Sequence, residues 1–136
     1  MKEELTYATK ELAKHRLEQA KEDLEAGKLL YDKNFYKLAN NRSYYSIFHS
    51  IKAVLALEPV DFKRHKDVVA YFNRTYAATE KIPREIGRKL ARLQQKREKS
   101  DYDDFYIASK EETMEQIENT KSVILAVKDY LSRMEN

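Results

Sequence analysis

Arg42 and His49 are the pair of side chains in this sequence whose types and spacing could do chemistry. They are seven residues apart, which is about two turns of α-helix, so a helix through this stretch places both on one face. A neutral imidazole can take the proton of a ribose 2′-hydroxyl, and a guanidinium can hold the phosphate that this hydroxyl attacks. RNA supplies its own nucleophile in this reaction, so the pair is suited to cleavage without a metal.

The helix that would carry the pair runs from about Phe35 to Leu57 and has two different faces. One is a broad apolar stripe, which predicts core. The other sets the pair among small residues that would let another helix approach closely, and we expect a second copy of the chain to supply that helix across a twofold axis. The core face holds Tyr44, Ile47, Phe48, Ile51, Val54 and Leu55, and the opposite face holds Arg42, Tyr45, Ser46, His49, Ala53 and Ala56.

A plainer interpretation of the pair stays open on the residues alone. Arg42 could pair with a surface carboxylate, and His49 could be a half-buried histidine satisfied by backbone or by a tyrosine hydroxyl. The other two histidines, His15 and His65, lie among Lys and Arg residues, so we expect surface or structural roles for both.

The sequence lacks the motifs of metal and phosphate-loop enzymes. It has three His and no Cys, and it contains no Gly-rich phosphate loop, no His-Glu-x-x-His pair and no Glu-x-x-His ligand set. We therefore expect neither a metal centre nor a cofactor.

Composition favours one all-α domain over residues 1–136. Two Gly and two Pro among 36% charged residues are too few turn formers for a β-protein. No apolar run approaches the length of a membrane span and no signal-peptide core is present, so a soluble cytoplasmic protein is expected. The net charge of +3, from 26 basic and 23 acidic residues, is too balanced to predict nucleic-acid binding by itself.

Hydrophobic periodicity predicts an up-down bundle of four to five amphipathic helices with short connections. Pro83 is expected as the first residue of the fourth helix, and Ser109 with Glu112 as a capping box for the last. The KSDYDDFYIA stretch, which ends at Ala108, is expected to be irregular. The predicted helices run from about Thr9 to Tyr31, Phe35 to Leu57, Arg64 to Thr79, Pro83 to that stretch, and Ser109 to near the C-terminus.

The other helices each show an apolar stripe that we assign to the core. Gly27 shares the stripe of the first helix, which favours close packing over a break in the helix. The predicted core positions are Ala13, Leu17, Ala20, Leu24 and Tyr31, then Val68, Val69, Phe72 and Tyr76, then Ile86, Leu90 and Leu93, and last Met114, Ile117, Ile124, Val127 and Leu131.

The second helix resembles the second conserved helix of the HEPN superfamily. Its residues from Ala39 to Leu55 read ANNRSYYSIFHSIKAVL, similar to the NRxYYxxFH helix of compact stand-alone HEPN proteins of bacteria and archaea. The resemblance extends over most of the chain. Its other matches are Lys63-x-His65, Ile82-Pro83-x-Glu85-x-Gly87-Arg88 and Arg97-x-x-x-Asp101-Tyr102.

This resemblance implies a metal-independent ribonuclease whose Arg-x(4–6)-His motif falls on Arg42 and His49. Many HEPN proteins are toxins encoded beside a nucleotidyltransferase-fold antitoxin, and they form homodimers in which two motifs share one cleft. Some carry a His-x-Tyr continuation whose tyrosine the antitoxin adenylylates; Ile51 occupies that position here, which puts this mode of neutralisation in doubt. The alternative is a non-catalytic HEPN module that binds a nucleotide or a nucleotidyltransferase-fold partner.

The fourth helix is rich in Lys and Arg, which suits either a solvated face or contacts to RNA phosphates. Acidic residues at 101–104 could instead pair with Arg92, Lys96 and Arg97 within the chain. The candidate substrate-binding or site-supporting residues are Asn41, Tyr45, Ser46, Arg88, Arg97, Asp101 and Tyr102.

Overall fold

The computed structural model describes residues 7–134, except the side chains of Tyr7 and Asp101. Within this part of the chain the secondary structure is helical, without strands, so the all-α prediction is confirmed. The helices are α1 (Tyr7–Asp32), α2 (Tyr36–Leu55), α3 (His65–Phe72), a π-helical segment (Asn73–Ala77), α4 (Arg84–Tyr102) and α5 (Lys110–Met134).

The predicted boundaries of the third and fourth helices were wrong. The third helix is α-helical only to Phe72 and continues as the π-helical segment. The fourth is longer than expected: the Asp103 N–H still bonds the Lys99 carbonyl at 3.1 Å, so α4 ends at Tyr102 and only the residues beyond it are irregular. This helix also begins one residue later than predicted, at Arg84, because Pro83 has an extended ψ of 137° and is the N-cap.

Local signals end α1 and begin α5 where expected. Asn34 adopts a φ of 68°, which asparagine tolerates, and the Phe35 N–H bonds the Leu30 carbonyl at 2.9 Å to close the α1–α2 turn. Ser109 Oγ accepts the Glu112 N–H at 3.0 Å, as a capping box requires. The Glu112 carboxylate, however, accepts the Tyr106 hydroxyl at 2.8 Å.

Helix α2 is the centre of the bundle, since α1, α3, α4 and α5 all pack against it. Its predicted core face is buried throughout, and the stripes of α1, α3 and α4 are buried as predicted, with Tyr31 half-buried. In α5, Ile117, Ile124 and Val127 are buried as predicted and Leu131 is half-buried. Met114 is the exception at 37% exposure, because Thr113 and Gln116 take the buried positions beside it.

The small residues of α2 face α1 of the same chain, which corrects our assignment of that face to a partner subunit. Ser46 and Ala53 are fully buried, and Ser46 Oγ donates to the Ala20 carbonyl at 2.6 Å. A buried hydroxyl that bonds the neighbouring backbone holds two helices at short distance. The small stripe is therefore the α1–α2 contact, and it sets which α1 residues meet Arg42 and His49.

The connection from α2 to α3 returns the chain onto α2. Glu58 anchors it, because its carboxylate accepts the hydroxyls of Tyr71 and Tyr76. Burial first, then the bond to Glu58, raises the pKa of Tyr76, so both hydroxyls remain donors. This anchoring places His65, the first residue of α3, beside the middle of α2.

The two glycines respond differently to an added methyl group. A Cβ at Gly87 would lie 2.8 Å from the Ala77 Cβ, whereas one at Gly27 would find its nearest neighbour at 3.5 Å. We expect Gly87→Ala to lower the free energy of unfolding by about 1–3 kcal/mol through overpacking. Gly27→Ala should raise it by up to about 1 kcal/mol through helix propensity. Urea denaturation measures both, and a stabilised Gly87→Ala would contradict the packing described.

Candidate active site

His49 is held by a carboxylate from α1. Its Nδ1 lies 2.8 Å from Asp23 Oδ2, and the two side chains are 29% and 16% exposed. A carboxylate accepts only, so Nδ1 carries the proton in this bond. In the neutral ring this leaves Nε2 as a proton acceptor.

Arg42 shares the same carboxylate. Its Nη1 lies 3.4 Å from Asp23 Oδ1, and its Nη2 donates to Asn41 Oδ1 at 3.0 Å. The guanidinium also lies 4.9 Å from the centre of the Tyr45 ring and keeps 38% of its side chain exposed. Asp23 therefore links the two residues of the motif, while part of the guanidinium remains available to an anion.

A second cation approaches from α4. The Arg97 guanidinium lies 4.1 Å from the Tyr44 ring centre and 5.1 Å from that of Tyr45, and its Nη2 donates to the Tyr45 hydroxyl at 3.4 Å. Cation–π contacts of this kind hold a guanidinium in place. Tyr45 thus lies between Arg42 and Arg97.

His65 completes the cluster. Its ring centre is 3.9 Å from that of Phe48, and its Nδ1 lies 3.1 Å from the Tyr44 hydroxyl. Burial first, then the positive charge of Arg97, lowers the pKa of His65 below its usual range. His65 is therefore a half-buried neutral ring in the wall of the site.

Most of the other candidate residues lie away from the site. Ser46 supports the site from beneath but is buried under α1. Arg88 is exposed and lies nine residues before Arg97, on the opposite side of α4. Tyr102 is 88% exposed at the end of α4, and the side chain of Asp101 lies outside the described residues. Arg92 contacts Glu115 of α5 at 3.6 Å, so the acidic residue that it contacts is not in the 101–104 segment.

Asp23 was missed because a single acidic residue on a charged helix is not a signal. The position of Asp23 along the helix does carry a signal. Asp23 lies three residues after Ala20 and four before Gly27, which are both buried against α2. A carboxylate at that position is drawn to the helix interface and requires a polar or cationic partner there. Arg42 and His49 are the partners of the Asp23 carboxylate.

A profile of the HEPN domain matches residues 13–130, most of the chain. The protein belongs to the HEPN family. The match includes α2 with Arg42 and His49, as well as Asp23, His65 and Arg97.

Individual HEPN relatives are moderately similar in sequence. A "UPF0332 protein" from Thermotoga maritima is 29% identical over 112 residues, which are 82% of this chain and 85% of that protein. "Putative toxin MJ0142" from Methanocaldococcus jannaschii is 32% identical over 71% of this chain and 65% of its own length. A second protein of that archaeon, "Putative toxin MJ0605", is 35% identical over 63% and 64%. The aligned part spans about two thirds of each archaeal relative.

Among residues 7–134, no helix of this HEPN protein combines the length and apolar character that crossing a membrane would need.

The low pKa of His65 can be measured directly by NMR titration of its ring protons. We expect a midpoint below 6.5, and Arg97→Gln should raise it because a nearby positive charge is removed. Arg88→Gln, on the far side of α4, is the control and should leave it unchanged.

His65 resists protonation more in the native state than in the unfolded chain, so the free energy of unfolding should fall as the pH drops from about 6.5. A midpoint above 6.5 would contradict the burial described.

Proposed function

We propose that this HEPN protein is a metal-independent endoribonuclease and the toxin component of a toxin–antitoxin pair. The observation that carries the proposal is the Asp23–His49–Arg42 arrangement, in which one carboxylate orients a base and contacts a phosphate-binding cation.

His49 is the general base. Asp23 holds the Nδ1 side of the ring, so Nε2 takes the proton of a ribose 2′-hydroxyl. The 2′-oxygen then forms a bond to the adjacent phosphorus, and the bond from phosphorus to the 5′-oxygen breaks. The products are a 2′,3′-cyclic phosphate and a 5′-hydroxyl end, and no metal or cofactor is consumed.

Arg42 stabilises the charge that develops on the phosphate oxygens. Its guanidinium is held by Asp23, Asn41 and the Tyr45 ring, yet part of it faces solvent. A donor that is already oriented gains more in the transition state than one that must be ordered by substrate. Arg97 adds a second positive charge across Tyr45.

A homodimer would supply the acid that the reaction also needs. The departing 5′-oxygen must gain a proton, and His65 is a poor source because its pKa is lowered. A second copy across a twofold axis brings its own His49 for this role. Since α1 covers Ser46 and Ala53, we assign the contact to the side of α2 that α1 leaves accessible, which runs from an exposed apolar groove near the start of the helix past Arg42 to His49. Phe35, Leu38 and Ile107 line this groove and are 55%, 54% and 85% exposed.

The toxin assignment rests on the two archaeal relatives named as toxins. A ribonuclease that acts on cellular RNA must be restrained, so a neutralising partner of nucleotidyltransferase fold belongs to the same proposal. Ile51 stands where a target tyrosine would be in some HEPN toxins, so we expect this partner to act by binding.

The nuclease is tested by incubating the pure protein with single-stranded RNA in excess EDTA. We expect products ending in 2′,3′-cyclic phosphate, and we expect His49→Ala and Arg42→Ala to reduce the rate by about 10²–10⁴-fold. Asp23→Asn should reduce it less, because the base remains but is no longer oriented by a carboxylate.

The matched controls are His15→Ala and Arg84→Ala, which remove an exposed histidine and an exposed arginine outside the cluster. Both should cleave like the parent. If the parent does not cleave, or if His49→Ala cleaves equally well, the catalytic proposal is wrong. Binding of a nucleotide or a nucleotidyltransferase-fold partner without cleavage would then favour the non-catalytic alternative.

The dimer is tested by light scattering at micromolar concentration. We expect twice the 16.1 kDa chain mass, and Ile107→Glu should give the single chain because a charge would be buried in the contact. Leu125→Glu is the control, since Leu125 is also exposed (65%) but does not line the groove. A parent protein that scatters as 16.1 kDa would remove the shared site.

A further inference from the structure

A cavity of about 240 Å³ lies beside the site, between the start of α2, the C-terminal half of α4 and the first turns of α5. Drug-sized ligands occupy pockets of roughly 300–1,000 Å³, so this cavity suits one small ring system. The catalytic proposal uses Asn41 and Arg97 at its edge and leaves the cavity itself without a role.

The floor of the cavity holds amide groups without partners. Gln116 is 2% exposed, and neither its Nε2 nor its Oε1 has a hydrogen-bond partner among the described residues. The buried Oδ1 of Asn40, which also lines the cavity, has none either. Leaving buried polar atoms unpaired costs about 1–3 kcal/mol each, so such groups are normally satisfied by water or a ligand. A ligand that satisfies Gln116 must both donate and accept, as the edge of a nucleobase does.

The walls suit a flat ring. Tyr106, Leu93 and Tyr44 line the cavity, and the flat Arg97 guanidinium lies over the Tyr44 ring. The Tyr106 hydroxyl is engaged by Glu112, which fixes that side chain. Single-stranded RNA is commonly recognised in this way, with a base stacked on aromatic side chains and hydrogen-bonded at its edge.

The charge at the cavity favours an anion. Lys37, Lys96 and Arg97 line it, and none of the described lining residues is acidic. A base that enters the cavity carries its phosphate with it, and these cations can hold that phosphate. An uncharged ring compound would form no ion pair with these cations.

The cavity is continuous with the site through two residues. Asn41 lines the cavity and accepts the hydrogen bond of Arg42, and Arg97 lines it and donates to Tyr45. We propose that the cavity binds one nucleobase of the RNA substrate, next to the phosphate presented to Arg42 and His49, and so sets the base preference of cleavage. This rests on the proposed ribonuclease function. Lys37, Leu38 and Tyr106 also line the groove assigned to the second copy, so the bound base would lie beside the dimer contact.

The test separates base recognition from cleavage by measuring binding on His49→Ala. Fluorescence anisotropy with short single-stranded RNAs that differ in one base should show one base preferred by about tenfold or more. Adding Gln116→Leu should equalise the bases, whereas Lys96→Ala should weaken all of them by a similar factor. Asn119→Leu is the matched control, because it replaces a buried α5 amide that does not line the cavity.

Gln116→Leu removes unpaired polar atoms, so the melting temperature of this variant should not fall. A loss of base preference would then not be caused by unfolding.

The free-ligand arm uses the four nucleoside monophosphates and inorganic phosphate. Inorganic phosphate that binds as tightly as any monophosphate would mean an anion site and would overturn the proposal. So would a base preference that survives Gln116→Leu. Cleavage without base preference refutes the pocket alone, and preference without cleavage refutes the nuclease alone.

Discussion

The contact between Asp23 and His49 depends on how closely α1 and α2 pack. Ser46 bonds the Ala20 carbonyl, and this fixes the register of the two helices so that Asp23, three residues further along α1, meets both Arg42 and His49. A shift of one residue along α1 would move the carboxylate by about 1.5 Å and turn it by about 100°, which would break both contacts. The orientation of the proposed base and the position of the proposed phosphate ligand therefore share one origin.

Some buried or half-buried polar groups of this bundle have partners within the chain, and others do not. The Ser46 hydroxyl and the Glu58 carboxylate have their partners within the chain and hold helices together. Ser43, Asn73 and Asn119 each have one buried polar atom without a partner, whereas Gln116 has two and, like the Oδ1 of Asn40, lines a cavity. A stability requirement alone would replace such amides by apolar residues of similar size, so their presence is consistent with a ligand that pairs with them.

The guanidinium groups of the site pack against aromatic rings. Arg97 lies over Tyr44 and Tyr45, and Arg42 lies over Tyr45. Rings orient these guanidinium groups, and the positive charge of Arg97 also disfavours protonation of His65. The net charge of the whole chain gave no indication of this, since it sums over residues far from the site.

The sequence by itself determined the all-α class, the core face of α2 and the pairing of Arg42 with His49 on one helix face, because helical periodicity is a local property. It also showed that small residues on α2 meet a closely packed helix, but it did not identify that helix: a stripe of small residues fits α1 of the same chain as well as α2 of another. Only the tertiary structure decided that α1 covers Ser46 and Ala53, that Asp23 joins the motif, that His65 returns to it and that Arg88 does not. Those contacts join residues far apart in the chain, and their register depends on the packing of whole helices.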